Sequence, residues 1–167
     1  MATARAIPQI HIAALGAESL PLIEDISARA FDPRYGEAWS KAQCLSVLSL
    51  PGYRLRGAWI EEADNAPTLA GFSIDRSVAD ESELLLIAVD PVHRCKGVAA
   101  HLLEDWLTNS RDKDIVRVFL EMREDNPARS LYERTGFKQM AVRKAYYRGN
   151  DGVMRDAVTM DCRLSEH

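Results

Sequence analysis

The segment 84–106 changes its residue pattern twice, and both changes restrict the fold. Residues 84–89 form a continuous apolar run, which is typical of a short strand buried on both faces. Asp90-Pro91 ends this run, because proline has no N–H to give to a sheet. Apolar residues then recur at helical spacing, at Ala99, Leu102, Leu103, Trp106 and Leu107. The segment therefore predicts a strand, a loop and an amphipathic helix in direct succession.

The loop between this strand and this helix is basic and contains a glycine. Arg94 and Lys96 carry positive charge, and Gly97 allows a close turn before the helix begins. The first N–H groups of a helix have no partner within it, and the helix dipole adds partial positive charge there. This arrangement favours binding of a phosphate group. On the loop alone, an ordinary solvated connection between strand and helix remains an equal alternative.

Length and composition predict one globular domain over residues 1–167, with 47% hydrophobic and 28% charged residues. The net charge of −4 argues against a protein that binds nucleic acid directly. Cys44, Cys95 and Cys162 lack metal-ligand spacing and favour a reducing compartment. Neither a signal peptide nor a membrane span is expected from the apolar runs. We therefore expect a cytoplasmic protein without a membrane partner.

The remaining patterns predict an α/β domain with the element order β-α-α-β-β-β-α-β-α-β-β around a mixed, mostly antiparallel sheet flanked by helices. Asp80 to Glu83 is interpreted as a turn into the central strand, and Asp64-Asn65 as a hairpin turn. The predicted strands are 7–13, 53–60, 68–75, 84–89, 115–121, 137–147 and 153–164; the predicted helices are 21–30, 41–48, 99–110 and 128–134.

Residues 94–99 resemble the Q/R-x-x-G-x-G/A signature of the GNAT N-acetyltransferases, and residues 89–91 lie where that family has a similar sequence. The predicted element order also matches the GNAT fold. The resemblance implies that the loop grips the pyrophosphate of acetyl-CoA and that the preceding strand binds its pantetheine arm. The cofactor-binding residues so implied are Ile87, Ala88, Val89, Arg94, Cys95, Lys96, Gly97, Val98, Ala99 and Asn126.

Acetyl transfer to an amine needs a base for the amine and a group that assists the leaving thiolate. The segment 120–137 resembles the LEVR…N…LYE-x-x-GF segment of the RimI-type subfamily, which acetylates the N-terminal alanine of a small-subunit ribosomal protein. By this resemblance Glu121 is the base and Tyr132 the acid. Residue-level alternatives are a paired glutamate and a core tyrosine. Asn126 lies one residue closer to Tyr132 than in the family, and Asp125 occupies the expected position.

The C-terminal segment 142–160 resembles the R-x-x-Y-Y…D-G…D-A-x-x-M tail of the same subfamily. This likeness implies that Tyr146 and Tyr147 bind the acceptor. Adjacent strand residues point to opposite faces, so at most one of the two faces the acceptor directly. By analogy, the loop 32–39 forms one wall of the acceptor groove.

Other residues offer rival chemistry. His93 and His101 are alternative bases that the pattern places in solvent. Cys95 would suggest an acyl-cysteine intermediate, but no partner base accompanies it. We expect a backbone N–H near Ala88 or Val89 to polarise the acetyl carbonyl.

The sequence thus predicts an acetyl-CoA-dependent N-acetyltransferase without a metal. The expected acceptor is a peptide or protein N-terminal α-amine, with a ribosomal protein among the candidates. Two alternatives stay open: a small-molecule amine acetyltransferase, and a non-catalytic acyl-CoA-binding module.

Overall fold

The computed structural model describes residues 8–62 and 66–164. The element order agrees with the prediction. The strands are β1 Gln9–Ala14, β2 Tyr53–Glu61, β3 Thr68–Val78, β4 Glu81–Val89, β5 Arg117–Arg123, β6 Lys138–Arg148 and β7 Met154–Arg163. The helices are α1 Leu20–Ala30, α2 Lys41–Leu48, α3 Val98–Asp112 and α4 Arg129–Arg134.

The strands form one seven-stranded sheet in the order β1-β2-β3-β4-β5-β7-β6. Only β4 and β5 pair in parallel, and the other neighbours are antiparallel. A parallel pair requires a crossover, which α3 supplies. The mixed, mostly antiparallel sheet is confirmed, and β6 is an edge strand.

The helices pack against the sheet in separate core clusters. Helix α3 packs with β5 and β7 through Trp106, which is fully buried and stacks on Phe137 at a centroid distance of 5.9 Å. Helices α1 and α2 pack against β2 to β4 around Ile23 and Phe72. Ser40 begins α2 with a reciprocal capping box, as expected of a serine at that position.

The predicted turn from Asp80 to Glu83 is wrong, because β4 already begins at Glu81. Ala79 adopts a positive φ of 52°, so the chain reverses within Ala79-Asp80. Ser82 is buried and accepts a hydrogen bond from the Trp106 indole at 2.9 Å. Buried positions alternate with partly exposed ones along the strand, whereas the prediction assumed a strand buried on both faces. The predicted Asp64-Asn65 turn lies outside the described residues.

The pairing of β4 with β5 stops at Leu84 and Leu120. At this point the register of β4 against β3 shifts between Ile74 and Asp75, which leaves Leu85 as an extra residue. A bulge of this kind bends a strand and ends its regular pairing. The second half of β4 therefore diverges from β5, and a gap opens between the two strands.

Candidate active site

The gap exposes backbone groups of β4. Asp90 N–H donates to Ala70 O of β3 at 2.9 Å. Successive strand residues direct their N–H and C=O groups to alternate edges, so Ala88 shares this orientation, while Ile87 and Val89 point theirs towards the gap. These two residues can hydrogen-bond an extended molecule that lies along β4.

The loop after β4 forms a cradle of backbone N–H groups at the start of α3. Cys95 and Gly97 both adopt positive φ, at 60° and 88°, which turns the loop sharply. Gly97 is the N-cap and has no side chain, so no side chain caps the helix. The first N–H groups of this 15-residue helix therefore remain available for an anion. This geometry fits a pyrophosphate.

The charged side chains of the loop are engaged with neighbouring elements. Arg94 Nη2 donates to Ala30 O at the end of α1, at 2.7 Å. Lys96 forms an ion pair with Glu62. His101 Nδ1 lies 2.8 Å from Gly97 O, within the first turn of α3. The backbone of the loop is thus a more direct anion site than its side chains.

Two adjoining cavities flank the gap. The phosphate-loop cavity, of about 360 Å³, runs from Arg94 and Ala99 to Tyr132. The carboxylate cavity, of about 380 Å³, runs from Tyr132 to Glu121 and Tyr147. Residues that line both are Phe31, Tyr35, Glu37, Ile87, Arg123, Asn126 and Tyr132. Both predicted catalytic side chains, Glu121 and Tyr132, line the carboxylate cavity.

Six of the ten predicted cofactor-binding residues line the phosphate-loop cavity: Ile87, Ala88, Val89, Arg94, Ala99 and Asn126. The other four lie beside it. Cys95 and Gly97 shape the loop, Lys96 pairs with Glu62, and Val98 is buried in the core.

Glu121 lies within β5 rather than at its end, and its carboxylate is 19% exposed. Tyr147 O–H donates to Glu121 Oε1 at 3.1 Å, and Arg143 Nη2 donates to Oε2. Arg123 and Arg94 contact other groups instead. Both oxygens of Glu121 therefore have partners from β6.

Tyr132 is buried at the base of α4, and its ring packs edge-on against Phe137 at 6.0 Å. Burial raises the pKa of Tyr132 to about 12. The phenol thus keeps its proton throughout the neutral range. Tyr132 lines both cavities, which places its side chain at their junction.

Asn126 and Asp125 occupy different surroundings. Asn126 lines both cavities, and its Oδ1 accepts a hydrogen bond from Ala128 N at 2.9 Å, which caps the turn before α4. Asp125 lies outside the cavities and pairs with Arg123 and Arg155. Of the two residues that the sequence left as alternatives, Asn126 therefore faces the cavities and Asp125 does not.

The two tyrosines of β6 also differ. Tyr147 lines the carboxylate cavity, while Tyr146 is 50% exposed and outside it. Residues of the loop 32–39 form the opposite wall of this cavity: Tyr35, Gly36, Glu37, Ala38 and Trp39.

Sequence reasoning missed the residues that hold this loop in place. Arg123 is buried, bonds Glu37 and Asp125, and lies over the Tyr35 ring at 3.4 Å. Asn150, in the β6–β7 turn, donates from its side chain to Pro33 O at 2.6 Å. The aromatic and charged composition of the loop is consistent with packing against other elements, but it does not identify the residues that the loop contacts.

Within residues 8–62 and 66–164, no group of three or more His, Cys, Asp or Glu side chains could hold a metal ion. None of the described helices is both long and apolar enough to cross a membrane.

Comparison with known proteins identifies the family. Residues 59–153 match the model of the acetyltransferase (GNAT) domain. The chain is 38% identical to the [ribosomal protein bS18]-alanine N-acetyltransferase of Haemophilus influenzae, over 58% of this chain and 66% of that protein. It is 33% identical to the enzyme of the same name from Haemophilus ducreyi, over 73% of this chain and 81% of the relative.

A solved structure agrees with this result. The ribosomal-protein-S18-alanine N-acetyltransferase from Escherichia coli superposes with a TM-score of 0.79 at 28% identity, covering 94% of this chain and 95% of that one. The segment matched by the family model includes β4, the basic loop and α3. The chain belongs to the GNAT family of acetyltransferases.

Proposed function

We propose that this acetyltransferase transfers the acetyl group of acetyl-CoA to the N-terminal α-amine of a protein, and that a ribosomal protein of the bS18 type is the acceptor. The observation that carries the proposal is the pair of adjoining cavities, with Tyr132 at their junction and Glu121 on the acceptor side. Relatives named for acetylation of the bS18 alanine support the choice of acceptor.

The residues of the phosphate-loop cavity fit acetyl-CoA. The uncapped start of α3 would hold the pyrophosphate, and the open edge of β4 at Ile87 and Val89 would pair with the amides of the pantetheine arm. When bound, the thioester supplies an acyl group that an amine can attack. A backbone N–H of the open edge, that of Val89 or Ile87, would polarise its carbonyl.

Glu121 is the proposed base. An α-ammonium has a pKa of roughly 7.7–8.0, about two units below that of a lysine side chain, so a carboxylate can remove its proton with modest assistance. Tyr147, which donates to Glu121 Oε1, orients the carboxylate towards the cavity. This chemistry favours an N-terminal amine over a lysine side chain.

Tyr132 is the proposed acid. Its pKa of about 12 keeps the phenol protonated, so it can donate a hydrogen bond to the departing sulfur at any working pH. The transfer is proposed to be direct, from donor to acceptor in one ternary complex. Cys95, which is exposed on the loop, takes no part in it.

The cellular setting follows from the acceptor. A ribosomal acceptor implies a cytoplasmic enzyme, and we also propose that residues 1–167 act as one domain. Neither nucleic acid nor membrane is a proposed partner.

The test measures thiol release from acetyl-CoA with a peptide that begins with alanine. The same peptide with a blocked N-terminus, spermidine and free lysine serve as comparisons. We expect turnover of the free peptide and none of the blocked one. Turnover of small amines only would assign the enzyme to small-molecule acetylation. Binding of acetyl-CoA by calorimetry without any turnover would favour a non-catalytic module.

A further inference from the structure

The carboxylate cavity is occupied by paired charges. Its lining includes two carboxylates, Glu37 and Glu121, and two arginines, Arg123 and Arg148. Glu37 is already paired with Arg123. Glu121 is paired with Arg143, which reaches it from β6. An acceptor that arrives as a cation therefore meets a cavity whose negative charges are already neutralised.

Arg143 reaches Glu121 from outside the cavity. Its side chain is 52% exposed and lies outside the lining of the cavity, with the guanidinium over the Tyr146 ring at 3.9 Å. Because the guanidinium is half-exposed, solvent screens its attraction to the carboxylate, and separation of the ion pair costs little free energy. The guanidinium already contacts the Tyr146 ring in the paired state, and it can keep this favourable contact when it leaves the carboxylate.

The α-ammonium of an acceptor needs the same partner as Arg143. Both are cations that donate hydrogen bonds through N–H groups, and Tyr147 already donates a hydrogen bond to Glu121 Oε1. With Arg143 on Oε2, a second cation beside the carboxylate would meet like charge at close range. The two cations therefore compete for the negative charge of one carboxylate.

We infer that Arg143 is an internal competitor of the acceptor, bound to Glu121 in the resting enzyme and displaced by the acceptor's α-ammonium. This inference rests on the proposed function. Arg143 thereby sets the affinity for the acceptor without contacting the reacting atoms. Donor binding in the phosphate-loop cavity is independent of it, because Arg143 lines neither cavity.

The experiment compares the wild-type enzyme with Arg143→Ala. Calorimetry measures the Kd of an alanine-starting peptide, of the same peptide with an acetylated N-terminus, and of acetyl-CoA; steady-state assays measure KM and kcat. The control is Lys144→Ala, which removes an equal charge from the adjacent residue, where Lys144 is paired with Asp156.

We expect Arg143→Ala to bind the free-amine peptide about two- to fivefold more tightly, the range that a half-exposed ion pair supports, with KM lowered to match. Binding of the acetylated peptide and of acetyl-CoA should not change. Lys144→Ala should leave all of these constants at wild-type values.

Two results would overturn the inference. Weaker or unchanged binding of the free-amine peptide in Arg143→Ala, including no binding at all, would show that Arg143 does not compete with the acceptor. An equal gain in affinity for the acetylated peptide, or an equal gain in Lys144→Ala, would show that the effect comes from the overall charge of the surface and not from competition at Glu121. Failure of the proposed function has a different signature: neither wild-type nor variant enzyme would acetylate any peptide, while small amines would turn over.

Discussion

Glu121 has its side chain fixed by two hydrogen bonds, so a change of charge there alters chemistry more than structure. Glu121→Gln keeps the shape of the side chain but cannot accept the amine proton. We expect kcat to fall by about 10²-fold or more, with the Kd of acetyl-CoA unchanged. Thiol-release assays and calorimetry measure these two quantities. Glu104→Gln, on the exposed side of α3, is the control and should retain full activity. Wild-type kcat in Glu121→Gln would remove the proposed base.

Tyr132 offers a matched test of the acid. Tyr132→Phe keeps the edge-on packing against Phe137, so the melting temperature should change little. We expect kcat to fall at least about tenfold, because the leaving sulfur loses its hydrogen-bond donor. With a pKa of about 12, Tyr132 itself should cause no loss of wild-type activity below about pH 11. Tyr53→Phe, on β2, serves as the control. A pH–rate profile with an alkaline limb near pH 9 that disappears in Tyr132→Phe would contradict this account.

Individual residues differ in how far the sequence could place them. Glu121 and Tyr132 were predicted because each lies in a short motif. The pairing of Arg143 with Glu121 could not be predicted, because β7 lies between β5 and β6 in the sheet. Arg143 is opposite Ala157 on β7, while Glu121 is opposite Thr159, so the contact runs diagonally across β7. Such a contact depends on sheet order and register, neither of which is written in local sequence.

Among the elements, the loop 32–39 is held by the β6–β7 turn. Asn150 donates through its side chain to Pro33 O and through its backbone to Arg34 O. Asn150→Ala removes the side-chain bond, at a cost of about 0.5–1.5 kcal/mol. We expect the amides of residues 34–39 to exchange hydrogen faster, as measured by hydrogen-exchange mass spectrometry. Asn109→Ala, on α3, is the control. Unchanged exchange in Asn150→Ala would show that the side-chain bond of Asn150 does not hold the loop in place.

The strand β4 shows what local pattern can and cannot predict in an element. The apolar run and Asp90-Pro91 identify the strand and its end. The bulge at Leu85 leaves no mark in the pattern, because Leu84, Leu85 and Leu86 are the same residue type. The bulge appears only when the register with β3 is known, yet it lies at the gap that the proposed chemistry uses.

For the whole molecule, paired carboxylates predict how stability depends on pH. Hydrogen bonds from Arg155 lower the pKa of Asp151 to about 2, and Lys144 lowers the pKa of Asp156 below its ordinary value of 3.8. The unfolded chain then binds more protons than the folded one between about pH 4 and pH 2, so the free energy of unfolding falls as the pH falls through this window.

Urea unfolding at pH 5, 4 and 3 measures this slope. Asp151→Asn should be less stable than wild type at pH 5 and should lose less stability on acidification. Burial raises the pKa of Asp75, which acts in the opposite sense and reduces the net slope. An identical slope in wild type and Asp151→Asn would exclude Asp151 as a source.

The overall architecture was predictable because each element carries its own period, cap or breaker, such as Ser40 before α2 and Gly136 after α4. The order of strands in the sheet was not predictable, since β6 follows β5 in the chain but lies beyond β7 in the sheet. Contacts within one element were therefore predicted better than those between distant ones.

The exposed edge strand β6 has a consequence for association between copies of the chain. Its residues include four cations, Lys138, Arg143, Lys144 and Arg148, and no carboxylate. If two such edges met in antiparallel register, like charges would lie opposite one another and oppose the pairing. The positive charge of β6, the strand that carries Arg143, thus also opposes edge-to-edge pairing of two sheets into fibres. Loss of any of these cations would weaken that opposition.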